Sequence, residues 1–176
     1  MEDNDEVFCR TNIALIGFMG AGKTTVGKFL SYKTKMSHID SDEEVEKISK
    51  MPIPMIFQKY GDRHLRLLEQ DFCSGILPTL TNTVISTGGG IILNQKNIEM
   101  LRLYSKVFYI KSSPQKLYSR LKDDISRPLL QTYDKMDAIK TLLADREPLY
   151  EICAHHVINT GELEVFKIAE IILSII

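Results

Sequence analysis

The sequence predicts an α/β fold of three layers, a parallel sheet with helices on both faces. Three observations carry that expectation. Short apolar runs alternate with longer amphipathic stretches along most of the chain. The first run, Ile13 to Ile16, is apolar at every position, as a strand buried on both faces has to be. A glycine-rich segment, "GFMGAGKT" (17–24), stands between that run and the amphipathic stretch that follows.

Residues 1–10 read as an acidic tail, leaving 11–176 as a single domain, which is the expected count for 176 residues. Strands are expected at 12–17, 36–40, 83–87, 106–111 and 155–159, most of them carrying Val, Ile, Phe or Tyr. Helices are expected at 23–35, 42–50, 61–77, 95–104, 114–122, 136–147 and 162–175. Pro52 and Pro54 should stop the helix that begins near Asp42 and let a short one restart near Ile53. "DDISRPLLQTYD" (123–134) is polar, carries a proline and lies between two helices, so it reads as a mobile lid.

Composition excludes several classes. A formal net charge of -1 and a pI near 6.4 leave no basic footprint for nucleic acid. The longest apolar runs fall far short of a membrane span. The acidic N-terminus does not resemble a signal peptide, and the three cysteines, Cys9, Cys73 and Cys153, are odd in number and widely spaced. A cytoplasmic protein, expected to be a monomer with no nucleic-acid or membrane partner, fits these features.

The chemistry starts at Gly17 to Thr24, which matches G-x-x-x-x-G-K-[ST] between a strand and a helix. Backbone N–H groups of such a loop converge on an anion, and the helix dipole adds to the attraction. Gly20, Ala21, Gly22 and Thr25 belong to the loop and first turn that would cradle phosphates. Lys23 supplies a point charge to the β and γ phosphates, and the Thr24 hydroxyl is a natural ligand of Mg²⁺. No N-K-x-D guanine-reading segment is present and the chain is short for a motor domain, which leaves a small kinase acting on a metabolite or nucleotide.

Asp40 and Asp42 sit two apart at the end of the second strand, where ligands of open α/β sheets bind. Asp40 can hold Mg²⁺ directly or through water. Asp42 can accept a hydrogen bond or proton from a substrate hydroxyl, or it can simply cap the helix beginning at Glu43. Arg66 and Glu69, three apart on a helix, read in isolation as a solvated ion pair. "STGGG" (86–90) closes the third strand with Gly88, Gly89 and Gly90. Three successive glycines weaken strand and helix alike, so bare backbone must be needed there, for a tight turn or for a ligand lying on the main chain.

Taken together, GFMGAGKT, DSD after the second strand, Arg-x-x-Glu on a long helix, STGGG, "SRPLL" and "REPLY" resemble the shikimate kinase family over roughly residues 12–152. The resemblance implies the nucleoside-monophosphate-kinase-like fold: a three-layer αβα P-loop kinase with a five-stranded parallel sheet and a mobile lid. It also implies transfer of the γ-phosphoryl of ATP to the 3-hydroxyl of shikimate, on the route to chorismate and aromatic amino acids. The family pattern places the shikimate carboxylate between Arg66 and Arg146 and the ring hydroxyls at Asp42 and the backbone of Gly89. It makes Glu69 the partner that orients Arg66, and Thr24 and Asp40 the magnesium side. Arg127 becomes the lid arginine over the transferring phosphate, and Arg120 lies along adenine. Where the family usually writes G-E-x-x-F-R, this chain has "GDRHLR", with Asp62 for Glu and Leu65 for a Phe that would wall the pocket; Phe57 still offers one aromatic wall. "INTGELE" lacks the Asp and Pro common in the adenine segment. A kinase for another small hydroxy acid such as gluconate, or a regulatory protein that binds nucleotide without turnover, are the alternative readings.

Overall fold

The computed structural model describes residues 12–124, 128–130 and 133–176. The acidic tail, Cys9, and residues 125–127 (with Arg127) and 131–132 of the expected 123–134 lid segment lie outside the described residues. Five strands, β1 (Ile13–Ile16), β2 (Ser37–Asp40), β3 (Thr83–Ser86), β4 (Lys106–Lys111) and β5 (His156–Asn159), form one parallel sheet in the order β2-β3-β1-β4-β5. All five expected strands are there, with ends moved by a residue at most.

Burial on both faces of the sheet explains the run of apolar residues in β1. Ile13 and Leu15 join the core on one face, with Val84, Phe108 and Ile110. Ala14 and Ile16 join the other, with Ile85, Val107 and Tyr109. The first face is covered by α1 (Lys23–Thr34), α5 (Pro114–Leu121) and α7 (Val165–Leu173), through residues such as Val26, Leu30, Leu117 and Ile172. The second is covered by α4 (Gln95–Tyr104) and by the end of α6 (Lys135–Cys153), through Ile98, Leu101, Tyr150 and Cys153. Cys73 and Cys153 are free thiols buried in this second layer, and burial raises the pKa of both.

A third, smaller cluster lies away from the sheet, where α2 (Ser41–Ser49) packs on α3 (Ile53–Asp71) through Val45, Ile56, Leu65 and Leu68. The proline pair acts as its residue types require: Pro52 is the N-cap of α3, and Pro54 occupies its first turn, where a missing N–H costs nothing. Gly61 interrupts α3 with φ 80° and ψ 175°, so the segment is two helices joined at a kink that only glycine adopts freely. The expected helix over 61–77 therefore holds its α form only to Asp71; Phe72–Ile76 then widen into a π turn and Leu77–Thr79 tighten into a 3₁₀ turn.

Two other expectations are corrected. The helix over 136–147 continues through Pro148 to Cys153. Proline forfeits a hydrogen bond there, but the burial of Tyr150 and Cys153 in the second core layer, and Arg102 donating to the carbonyls of Ile152, Cys153 and Ala154, hold the last turns. The helix that begins at Ser41 is capped by Asp40, whose Oδ1 accepts the Asp42 N–H at 3.0 Å, so Asp42 is not the cap.

At the end of the sheet opposite the glycine-rich loop, the buried Asn12 ties the chain together. Its amide donates to the carbonyls of Leu80 (2.8 Å) and Tyr104 (3.1 Å), and its Oδ1 accepts the Thr83 N–H (3.1 Å). Replacing Asn12 with alanine leaves three buried backbone groups unpaired and is expected to cost about 3 kcal/mol of stability. Urea unfolding measures this, and the folded variant should keep its kcat, because Asn12 is remote from the carboxyl ends of the strands.

Candidate active site

Every element of the site lies at or beyond the carboxyl ends of β1, β2 and β3, or on helices packed there. After β1 the chain turns through Gly17–Gly22 into α1, and Gly22 takes a left-handed conformation at the helix N-cap (φ 95°). Lys23 is buried and donates to the carbonyls of Gly17 (2.8 Å) and Phe18 (2.9 Å), which folds its ammonium back over the loop. Arg120, from α5, donates to the Gly20 carbonyl at 2.8 Å and so lies across the same loop. Thr24 Oγ1 donates to Asp40 Oδ2 at 2.8 Å, which joins the first turn of α1 to the end of β2.

Two cavities meet over this loop. One, of about 470 Å³, is lined by Gly20, Gly22, Lys23, Thr24, Thr25 and Arg120 among others. The other, of about 440 Å³, runs between the loop and the α2–α3 arm, past Phe57, Arg66, Glu69, the Gly88–Gly90 backbone and Arg146. Met19, Thr24, Asp40, Asp42 and Gly89 line both, so a group passing from one cavity to the other passes Asp42.

Arg66 is held from two sides. Its Nη1 donates to Glu69 Oε2 at 2.6 Å, and its Nε and Nη2 donate to Asp62 Oδ1 at 3.2 and 2.6 Å. The shorter Asp62 thus grips the guanidinium directly. The isolated reading of Arg66 and Glu69 as a solvated pair is corrected, because Glu69 is only 2% exposed. Burial raises the Glu69 pKa to about 7, and Arg66 offsets that only in part. Burial also works against the charge on Arg66, but Glu69 and Asp62 more than compensate, so the arginine stays charged. The desolvated carboxylate is the weaker partner of the two.

Arg146 is different. It is 5% exposed, lies 6.0 Å from the centre of the Phe18 ring, and forms no ion pair with a carboxylate among the described residues. It faces the same cavity as Arg66.

The three glycines answer to close approach. A Cβ on Gly88 would collide with the Asp42 carboxylate and crowd Glu69, and one on Gly90 would collide with the Arg66 guanidinium. On Gly89 it would sit 3.2 Å from the Met19 backbone N of the phosphate loop. The bare backbone is required first by the protein's own site residues. It also forms a tight turn, with the Ile91 N–H donating to the Gly88 carbonyl at 3.3 Å. The tight-turn reading of the segment thus holds, and packing against these residues adds a second reason.

One residue went unassigned in the sequence. Tyr150 is fully buried, donates to the Gly89 carbonyl at 2.6 Å and stacks on Tyr109 with ring centres 4.9 Å apart. The available signal was its place one helical turn after Arg146, which puts the two on the same face of α6. Among the described residues no group of three or more His, Cys, Asp or Glu is arranged to hold a metal ion.

The chain is similar to known proteins over most of its length. The shikimate kinase family model matches residues 19–176. A shikimate kinase of Caldicellulosiruptor bescii is 42% identical over 93% of this chain and 94% of its own. The solved structure of shikimate kinase from Acinetobacter baumannii in complex with shikimate superposes with a TM-score of 0.89 at 35% identity, covering 93% of this chain and 91% of the other. A gluconokinase from Sinorhizobium meliloti, at 14% identity and a TM-score of 0.56 over 93% of this chain and 89% of its own, shares the fold alone.

The Glu69 environment has a consequence for stability. A carboxyl whose pKa rises from 4.5 to about 7 on folding takes up a proton between those values. Its contribution is therefore full below about pH 4.5 and is lost as pH rises through 7, by about 3 kcal/mol. Urea midpoints measured across this range should fall more steeply for the wild type than for Glu69→Gln.

Proposed function

The chain belongs to the shikimate kinase family and is an ATP-dependent kinase that phosphorylates the 3-hydroxyl of shikimate, and from that premise we propose how its residues divide the work. The observation that carries the proposal is Arg146, a buried guanidinium that forms no ion pair with a carboxylate among the described residues. A buried charge of this kind calls for an anionic partner, and a carboxylate matches the planar fork of its N–H donors. Arg66 faces the same cavity with its guanidinium already oriented by Asp62 and Glu69, so the substrate carboxylate lies between the two arginines.

ATP occupies the neighbouring cavity, with its phosphates on the loop from Gly20 to Thr25 and its adenine along Arg120. Lys23 exchanges its two carbonyl partners for phosphate oxygens, a stronger charge-assisted pairing. Asp42, at the junction of the cavities, accepts the hydrogen bond of the attacking hydroxyl and orients its oxygen in line with the γ-phosphorus. The N–H groups of Gly89 and Gly90 face the ring hydroxyls. Arg127 lies outside the described residues; we assign it to the transferring phosphate as the resemblance implies.

The donors fit Mg²⁺. Thr24 and Asp40 offer two hard oxygen ligands 2.8 Å apart, and Mg²⁺ ordinarily takes only one or two protein oxygens and completes its shell with phosphates and water. Held there, the ion would supply positive charge against the negative charge that develops during transfer. We take the protein to act as a monomer. No helix among the described residues is long and apolar enough to cross a membrane, and we place the protein in the cytoplasm.

A coupled ADP-release assay with ATP and Mg²⁺ tests the proposal. Turnover is expected with shikimate and not with gluconate. Arg146→Ala should lower kcat/KM for shikimate about 100-fold while leaving the KM for ATP within twofold. Equal turnover of both acids, or a variant impaired only toward ATP, would overturn the carboxylate assignment.

A further inference from the structure

Tyr150 has a hydroxyl with a single strong acceptor, the Gly89 carbonyl at 2.6 Å, at the border between the second core layer and the substrate cavity. The ring itself is immobilised, stacked on Tyr109 at an interplanar angle of 22° and fully buried. Carbonyl and N–H of a trans peptide point in opposite directions. All described peptides are trans, so fixing the Gly89 carbonyl on Tyr150 turns the Gly90 N–H away from α6. Neither the Gly89 nor the Gly90 N–H has a hydrogen-bond partner among the described residues, and both glycines line the cavity. They are donors held ready.

The same hydroxyl lies in the electrostatic reach of Arg146, one turn earlier on α6. Burial pushes the Tyr150 pKa upward, with Arg146 pulling it back in part, so the phenol keeps its proton and acts as a donor. We infer that Tyr150 is a positioning residue for shikimate: through the Gly89 carbonyl it sets the peptide that meets the ring hydroxyls, one turn along α6 from the guanidinium that meets the carboxylate. This rests on the assignment of Arg146 to the carboxylate.

Tyr150→Phe removes the hydroxyl and keeps the ring, so packing on Tyr109 survives. Steady-state kinetics should show the KM for shikimate raised about tenfold, the KM for ATP within twofold of wild type and the Tm nearly unchanged. A Tyr150 hydroxyl that serves only the core would lower Tm and leave the KM for shikimate as it was, and that result overturns the inference. Tyr109→Phe, which removes a hydroxyl from the other ring of the stack, should leave both KM values at wild type. If it raises the KM for shikimate as much as Tyr150→Phe does, the effect is general loosening and the inference fails. Arg146→Lys in the same assay separates the two levels: a raised KM there beside an unchanged KM in Tyr150→Phe removes only the role of Tyr150, whereas unchanged KM in both removes the carboxylate clamp with it.

Discussion

The site depends on a junction between two loops, where Gly89 lies against the phosphate loop at Met19. Strand order makes this contact unavoidable. β3 and β1 are neighbours at the centre of the sheet, parallel and in register, so the segments leaving their carboxyl ends must run side by side. In the proposed assignment one of those segments holds phosphate and the other presents the Gly89 and Gly90 N–H groups, so the acceptor hydroxyl and the γ-phosphoryl of ATP would meet along a single seam. Asp40 joins it from the end of β2, the next strand along, and Asp42 from the first turn of α2. Side chains on any of the three glycines would push this seam apart, displacing the phosphate loop, Asp42 or Arg66.

In the proposed assignment the two arginines serve the same carboxylate from unlike states. Arg66 is neutralised twice, by Asp62 and Glu69, and its orientation is thereby settled before substrate arrives. Arg146 carries its charge into a nearly closed interior and waits for an anion to balance it. A preoriented donor and an uncompensated charge complement one another: the first gives geometry, the second gives driving force. Asp62 in place of the family's usual Glu leaves this intact, since its Oδ1 reaches both Nε and Nη2 of Arg66. Leu65 packs into the small α2–α3 cluster and also lines the cavity, so the substitution for Phe keeps an apolar wall there beside Phe57.

Much of this was legible in the residues. Period-two burial in β1 and β4, the prolines at the start of α3 and the loop at Gly17–Thr24 each follow from local chemistry, and the strands fall where that chemistry puts them. What stayed hidden depends on long-range packing. Nothing near Arg66 and Glu69 in the chain says that α3 will turn Glu69 inward; as a local i,i+3 pair they look solvated. Nothing near Pro148 says that α6 will continue, because the compensation comes from Arg102 on another helix. The cap of α2 was ambiguous between Asp40 and Asp42 because both are good caps, and it was decided by where β2 ends. Tyr150 is invisible as a functional residue until the Gly89 carbonyl is seen beside it, 61 positions away.

The central claim is that a carboxylate completes the charge of Arg146. Altering the substrate tests it with the protein left whole. Shikimate and its carboxamide, which keeps the ring and hydroxyls and lacks the charge, can be compared in the ADP-release assay with saturating ATP. The account predicts a loss of about 100-fold in kcat/KM for the carboxamide. Comparable turnover of the two would mean that the buried arginine answers to something other than the acid.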